Sequence, residues 1–196
     1  LVLGCVGDNA EQQVASRPAA FRRIVHKVVE AATWAAGLGL PASCLFPYTD
    51  PALKTQDCAE AWNPENLSNR ATRAIKAAVP EIAIMTDVAL DPYNINGHDG
   101  FVVDGKVEND STLEALVKQA LSQAEAGADT IGPSDMMDGR IGVFRQAFGQ
   151  ARQPDVVPLS FAAKCAIQFC GPALVSRGAA ACLHGHIATF TVSSSL

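Results

Sequence analysis

No C-x-x-C pair, no run of basic residues and no apolar stretch of membrane-spanning length occurs in this chain of 196 residues. The six cysteines (Cys5, Cys44, Cys58, Cys165, Cys170 and Cys182) are scattered, so neither a zinc ribbon nor a dithiol redox motif is written here. A chain this long and this apolar needs no disulfide framework, and reduced thiols in a cytoplasmic protein are the expectation. The formal net charge of −5, with no basic run, excludes the clustered positive face of a nucleic-acid binder. A membrane span takes about 20 consecutive apolar residues, and none is present. The apolar start Leu1-Val-Leu-Gly-Cys-Val6 lacks a basic segment before it and is followed by an acidic, Gln-rich stretch, which does not make a signal peptide. The chain also lacks an initiating Met and is expected to begin mid-frame.

What is present is the material for a core: 48% of the residues are apolar, enough for one domain or a substantial piece of one. Apolar residues recur at helical spacing from residue 20 to Gly37 (Phe21, Ile24, Val25, Val28, Val29, Ala32), with Gly37 and Gly39 as the stop. Residues 42–46 read as a short strand, 68–78 as a helix closed by Pro80, and 82–90 as the next strand. Asn109 or Asp110 is placed to cap a helix over 111–126 that Gly127 ends. A strand over 128–133, a helix over 140–149 and a strand over 156–161 follow. Alternating strands and helices imply a parallel sheet with helices outside it.

An open doubly wound sheet and a closed (β/α)8 barrel both satisfy that pattern. Polar residues gather after the strand in each unit: Tyr48 and Lys54; Asp87 and Asp91; Ser134, Asp135 and Asp138; Lys164. Barrel enzymes place their chemistry at the C-terminal ends of several strands, which favours the barrel. A complete barrel takes about 250 residues. The expected fold is therefore α/β, a partial TIM (β/α)8 barrel of about four β/α units.

The densest run is Thr86-Asp-Val-Ala-Leu-Asp-Pro-Tyr-Asn-Ile-Asn-Gly-His-Asp-Gly100, which follows the apolar residues 82–85. It sends Asp87, Asp91, His98 and Asp99 into one loop. Asn94, Asn96 and Gly97 are turn chemistry, whereas Asp87 sits where a parallel strand ends and catalytic groups concentrate. In Gly132-Pro-Ser-Asp-Met-Met-Asp-Gly-Arg140, Ser134 and Asp135 fall at a second strand end, where they can hold substrate or relay a proton. Asp138-Gly139 reads as a turn into the next helix, and Met136 and Met137 as packing. Lys164 lies among Ala162, Ala163, Cys165 and Ala166. Desolvation there would favour a neutral amine able to form a Schiff base, while a snorkelling surface lysine is the commoner fate. His98 beside Asp99, and the pair His184 and His186, are too sparse to define a metal site.

These residues carry a resemblance. The strings Leu45-Phe-Pro-Tyr-Thr-Asp-Pro-Ala-Leu-Lys-Thr55, Thr86-Asp-Val-Ala-Leu-Asp-Pro-Tyr93, Gly97-His-Asp-Gly100, Ala124-Glu-Ala-Gly-Ala-Asp129, Pro133-Ser-Asp-Met-Met-Asp-Gly-Arg140 and Ser160-Phe-Ala-Ala-Lys164 resemble the porphobilinogen synthases (5-aminolevulinate dehydratases), most nearly the bacterial ones. The resemblance implies a TIM barrel that condenses two molecules of 5-aminolevulinate into porphobilinogen, in tetrapyrrole and haem biosynthesis, within a homo-oligomer (an octamer or hexamer). It implies that Lys164 is one of two Schiff-base lysines, and that Asp87, Ser134 and Asp135 position substrate or move protons. Zinc-dependent members carry three cysteines where this chain has Ala89, Asp91 and Asp99. Carboxylates suit hard cations and thiolates suit zinc. Magnesium or a monovalent cation near Asp91 and Asp99 is thus expected, and active-site zinc is not.

The same comparison divides the chain into an atypical N-terminal segment (1–36, helical from about 20), a partial barrel domain (37–172) and a divergent tail (173–196). The family's Tyr-Gly-Pro-Phe-Arg segment reads here Cys170-Gly-Pro-Ala-Leu174, and its second lysine, in a Val-Lys-Pro-Gly motif, has no counterpart. The chain is expected to be truncated at both ends, poorly stable and catalytically impaired alone, since open strand edges invite pairing. A class I aldolase-like barrel shares the lysine logic but not the 133–140 string. A non-catalytic subunit that docks onto full-length homologues is the reading from another class.

Overall fold

In a computed structural model of the protein, residues 2–4, 11–13 and 21–161 are described. Lys164 and the tail 173–196 lie outside them. The strands are β1 (Val2–Gly4), β2 (Glu11–Gln13), β3 (Phe21–Arg23), β4 (Ala42–Phe46), β5 (Ala83–Val88), β6 (Phe101–Val103), β7 (Lys106–Glu108), β8 (Thr130–Pro133) and β9 (Val157–Pro158). The helices are α1 (Val25–Gly37), α2 (Leu67–Ala78), α3 (Asn109–Glu125) and α4 (Arg140–Gln150), with 3-10 turns at Pro51–Leu53 and Ala59–Trp62.

The main sheet runs in the order β2-β3-β1-β4-β5-β8-β9. From β1 through β9 every neighbouring pair is parallel, and β2 alone runs antiparallel, against β3. Strands β4, β5, β8 and β9 are the four read from the sequence. Helices connect them as a parallel sheet requires, so all four point their C-terminal ends to one side.

Two expectations change at the N-terminal side. Phe21–Arg23 joins the sheet instead of opening the helix, because β1 and β2 both pair with it. Helix α1 accordingly starts at Val25, with extended Ile24 as its cap residue. A strand also precedes β4 in space: β1 pairs Val2 with Leu45 and Leu3 with Phe46.

Two apolar clusters line the helix-covered face of the sheet. Val28, Ala32, Ala71, Ile75, Leu45, Ile82 and Ile84 bury the facing sides of α1 and α2 against β4 and β5. Val88, Leu116, Ala120, Ile131, Phe144 and Phe148 pack α3 and α4 on β5 and β8. Helix α2 begins as its sequence dictates: the Asn69 N–H donates to the Asn66 side-chain oxygen at 2.8 Å. Helix α3 does not. Neither Asn109 nor Asp110 caps it; Glu108 takes the cap position without a side-chain bond. Asn109 instead accepts from the Asp138 N–H at 2.8 Å, tying the start of α3 to the loop after β8. No described helix is long and apolar enough to cross a membrane.

Candidate active site

The parallel register brings two of the sequence-predicted residues side by side. Asp87 of β5 stands opposite Gly132 of β8, and Val88 opposite Pro133. Ser134 therefore leaves β8 one step beyond the ladder, and its N–H still donates to the Val88 carbonyl at 3.2 Å. Both lie at the C-terminal edge, where parallel sheets gather function. The opposite edge is built for stability: the Asp129 carboxylate accepts from the Ile84 N–H at 2.7 Å and pairs with the Lys76 ammonium at 2.7 Å.

The loop after β5 folds back into the protein. Asp87, Asp91, His98 and Asp99 are all buried. Asn94 accepts from the Asn96 N–H through its side chain at 2.7 Å and from the Gly97 N–H through its carbonyl at 3.0 Å. Gly97 takes a φ of +64° there, the conformation glycine adopts without steric cost. The loop after β4 is laced to this one. The Thr55 N–H donates to the Tyr93 carbonyl at 3.1 Å, and the Ile95 N–H to the Thr55 carbonyl at 3.2 Å.

That lacing gathers Lys54, Cys58, Asp91 and Tyr93 into one electrostatic neighbourhood. Burial lowers the Lys54 pKa below the ordinary lysine range, against the pull of the Asp91 carboxylate. Tyr93 is held well above a normal phenol, by burial first and then by the Asp87, Glu60 and Asp91 carboxylates, so it stays protonated. Burial and nearby carboxylates push the thiols of Cys44 and Cys58 up to about 12. Both are free thiols and at neutral pH are poor nucleophiles and poor zinc ligands.

His98 is committed locally. The Gly100 N–H donates to its Nδ1 at 2.9 Å, and the same nitrogen lies 3.3 Å from the Gly100 carbonyl. Gly100 itself sits tightly, since a Cβ there would meet Val107 Cγ1 at 2.9 Å and Met137 Cε at 3.0 Å.

Asp135 is fully buried and accepts from the Met137 N–H at 2.7 Å. Its second oxygen faces the Arg140 guanidinium, Nε to Oδ2 3.5 Å. Arg140 also donates to the Met137 carbonyl at 2.7 Å and the Phe161 carbonyl at 3.3 Å. Asp135 therefore folds the segment 135–140 onto itself. Sequence reading did not find this pairing, nor Lys54 as a neighbour of Asp91, nor Tyr93. The signal for Lys54 was present, in a lysine that follows a strand end.

Among the described residues, no three His, Cys, Asp or Glu side chains gather closely enough to hold a metal ion. Asp91 and Asp99 are thus not joined by a third described ligand.

Comparison with known proteins fits this architecture. The family model described as delta-aminolevulinic acid dehydratase matches residues 3–187, past both ends of the stretch that carries the quoted motifs. The chain is 50% identical over 185 residues to the delta-aminolevulinic acid dehydratase of Rhodobacter capsulatus, covering 94% of this chain and 56% of that one. It is 47% identical over 188 residues to the Bradyrhizobium diazoefficiens protein of the same name, covering 96% and 53%. The crystal structure of the Toxoplasma gondii ME49 enzyme, in complex with the reaction product porphobilinogen, superposes with a TM-score of 0.93 at 34% identity. That match takes in 98% of this chain and 55% of the other, so the described α/β sheet is part of a TIM barrel. The chain spans about half the length of the curated relatives it matches.

Proposed function

This chain belongs to the delta-aminolevulinic acid dehydratase family, and from that premise we propose that it carries part of the site that condenses two molecules of 5-aminolevulinate into porphobilinogen. The observation that carries the proposal is the delivery of Asp87 and Ser134 to one edge by adjacent parallel strands. Lys164 follows the next strand in that sheet, β9, by six residues in the sequence. In this reading the neutral amine of Lys164 adds to the ketone carbon of 5-aminolevulinate and water leaves, giving an imine. Asp87 and Ser134 orient the bound substrate and shuttle protons. Asp135 supports them by holding the loop after Ser134. The protonated Tyr93 and the half-buried Lys54 share the electrostatic neighbourhood of Asp91.

The family is metal-dependent, and the donor set here suits a hard cation. Asp91 and Asp99 offer carboxylate oxygens, while the described thiols are held protonated. Magnesium keeps most of its waters and needs only one or two carboxylates from the protein. We assign magnesium or a monovalent cation to these two aspartates. Such a cation, when bound, supplies positive charge toward substrate oxygens.

Incubation with 5-aminolevulinate followed by borohydride tests the reading. Reduction of the imine should fix a secondary amine on Lys164, located by peptide mass mapping and lost in Lys164→Gln. Labelling by a sugar phosphate instead would favour an aldolase. Labelling by neither would sink the proposal. In the same assay 1,10-phenanthroline, which strips zinc, should leave porphobilinogen formation unchanged. Inhibition by phenanthroline would overturn the cation assignment. A homo-oligomer is the assembly we propose, readable by light scattering.

A further inference from the structure

Two glutamines on α3, Gln119 and Gln123, are completely buried. Four residues apart, they occupy one face of the helix, and both reach the same stretch of backbone. Gln123 Nε2 donates to the Asp87 carbonyl at 2.9 Å, and Gln119 Nε2 to the Ala89 carbonyl at 3.2 Å. The Gln123 oxygen accepts from the Thr86 hydroxyl at 2.8 Å, so both ends of that amide are in use and its orientation is set.

The register explains why helix side chains are needed there. Amides on a strand point alternately to its two neighbours. On β5, Ile84 and Val88 offer their carbonyls to the β8 side, accepting from Asp129 and Ser134. Ala83 donates to Pro41 on the β4 side, so Met85, Asp87 and Ala89 face β4 as well. The last pair of that ladder is Leu45 with Thr86. One further step would make the N–H of residue 47 the donor to the Asp87 carbonyl. Residue 47 is proline and has no N–H. Strand β4 ends at Phe46, and the carbonyl of Asp87 is left at a buried site where an unmade hydrogen bond is costly.

We propose that Gln123, seconded by Gln119, is a positioning residue for the active site: Gln123 replaces the ladder bond that Pro47 denies to the Asp87 carbonyl, Gln119 holds the Ala89 carbonyl just beyond the end of β5, and together they set how Asp87 is presented at the strand end. The inference rests on the assignment of Asp87 to the site proposed above. It goes further in tying helix α3, on the outside of the sheet, to the geometry of the reacting edge.

A double-mutant cycle in the full chain tests it. Gln123→Met keeps the length of the side chain and removes its donor, and Pro47→Ala returns an N–H to the position opposite Asp87. In Gln123→Met, kcat for porphobilinogen formation should fall by about 10–100-fold with KM little changed, the scale of a small misplacement of a reacting group. The side-chain carboxyl 13C resonance of Asp87, assigned by its loss in Asp87→Asn, should move in parallel. In the Pro47→Ala background the same substitution should cost no more than about twofold, within the usual error of additivity.

Lowered thermal stability with kcat and the Asp87 resonance unchanged would show a merely structural role and overturn the proposal. Equal losses in the two backgrounds would overturn it as well. If Gln123→Met does not fold, recovery of folding by Pro47→Ala supports the exchange of bonds, and failure to recover refutes it. The carboxyl resonance needs no turnover. A wild-type chain that forms no porphobilinogen would therefore sink the proposed reaction while leaving the positioning test readable.

Discussion

Phe144→Ala is expected to destabilise the fold by about 3–5 kcal/mol, the cost of emptying a large aromatic site in a packed core. Phe144 and Phe148 are both fully buried and lie four residues apart on α4, so the helix holds on to the sheet through this one pair. Their neighbours are Leu116 and Ala120 of α3, Ile131 of β8 and Val156. Each of these is anchored by its own element, and the cavity cannot collapse without moving a helix or a strand. For a domain of this size the loss corresponds to a melting shift of roughly 10 °C. Trp34→Ala is the matched control, since that larger ring is 68% exposed and its removal should change stability by less than about 0.5 kcal/mol. Thermal melts of the two variants decide the matter. A Phe144→Ala shift no larger than the Trp34→Ala shift would mean that α4 is not docked as described.

The contrast between these two aromatics is also a measure of what the sequence could reveal. Phe144 and Phe148 declare a buried helical stripe by their spacing, whereas nothing local distinguishes Trp34 from them. The same division runs through the fold. Strands β4, β5 and β8 and helices α2 and α4 were legible to within a residue or two, because apolar runs, Pro80 and Gly139 punctuate them locally. The β6–β7 hairpin was missed although Asp104-Gly105 marked it: both residues take positive φ, +49° and +75°, as a tight hairpin turn requires. Phe21–Arg23 shows the opposite failure. Its helical periodicity was real, and pairing with β1 and β2 overrode it.

The candidate site divides in the same manner. That Asp87 and Ser134 stand at strand ends follows from local pattern. That they are neighbours follows from register, which periodicity alone does not set. The buried glutamines were the least visible, since nothing in the local pattern of α3 marks Gln119 and Gln123 as buried. Their burial answers a proline 72 residues before the first of them and 76 before the second, a deficit that exists only once β4 and β5 are side by side. Lys164 was singled out by composition and resemblance, and lies outside the described residues.

Arg140 carries the second large effect. Its guanidinium is a charged partner of the fully buried Asp135 carboxylate. Removing one member of a buried pair leaves the other uncompensated, at a cost of about 3–5 kcal/mol. Arg140→Met is therefore expected near that range, more than an exposed arginine would give, because it also strips donors from the Met137 and Phe161 carbonyls. Asp135→Asn keeps the oxygen that accepts from the Met137 N–H and removes only the charge, so it should cost less. The double variant should be more stable than the sum of the two losses predicts, by about 1–3 kcal/mol, since neither residue then faces a missing counter-charge. Urea unfolding of the wild-type chain and the three variants measures that coupling. Simple additivity would show that the pair does not interact. Porphobilinogen assays of Asp135→Asn separate the two duties of the residue: a carboxylate that only folds the loop tolerates the amide, whereas one that moves a proton does not. Loss of kcat in a variant whose urea midpoint is nearly that of wild type would place Asp135 in proton transfer itself, beyond the supporting role its bonds to Met137 and Arg140 already define.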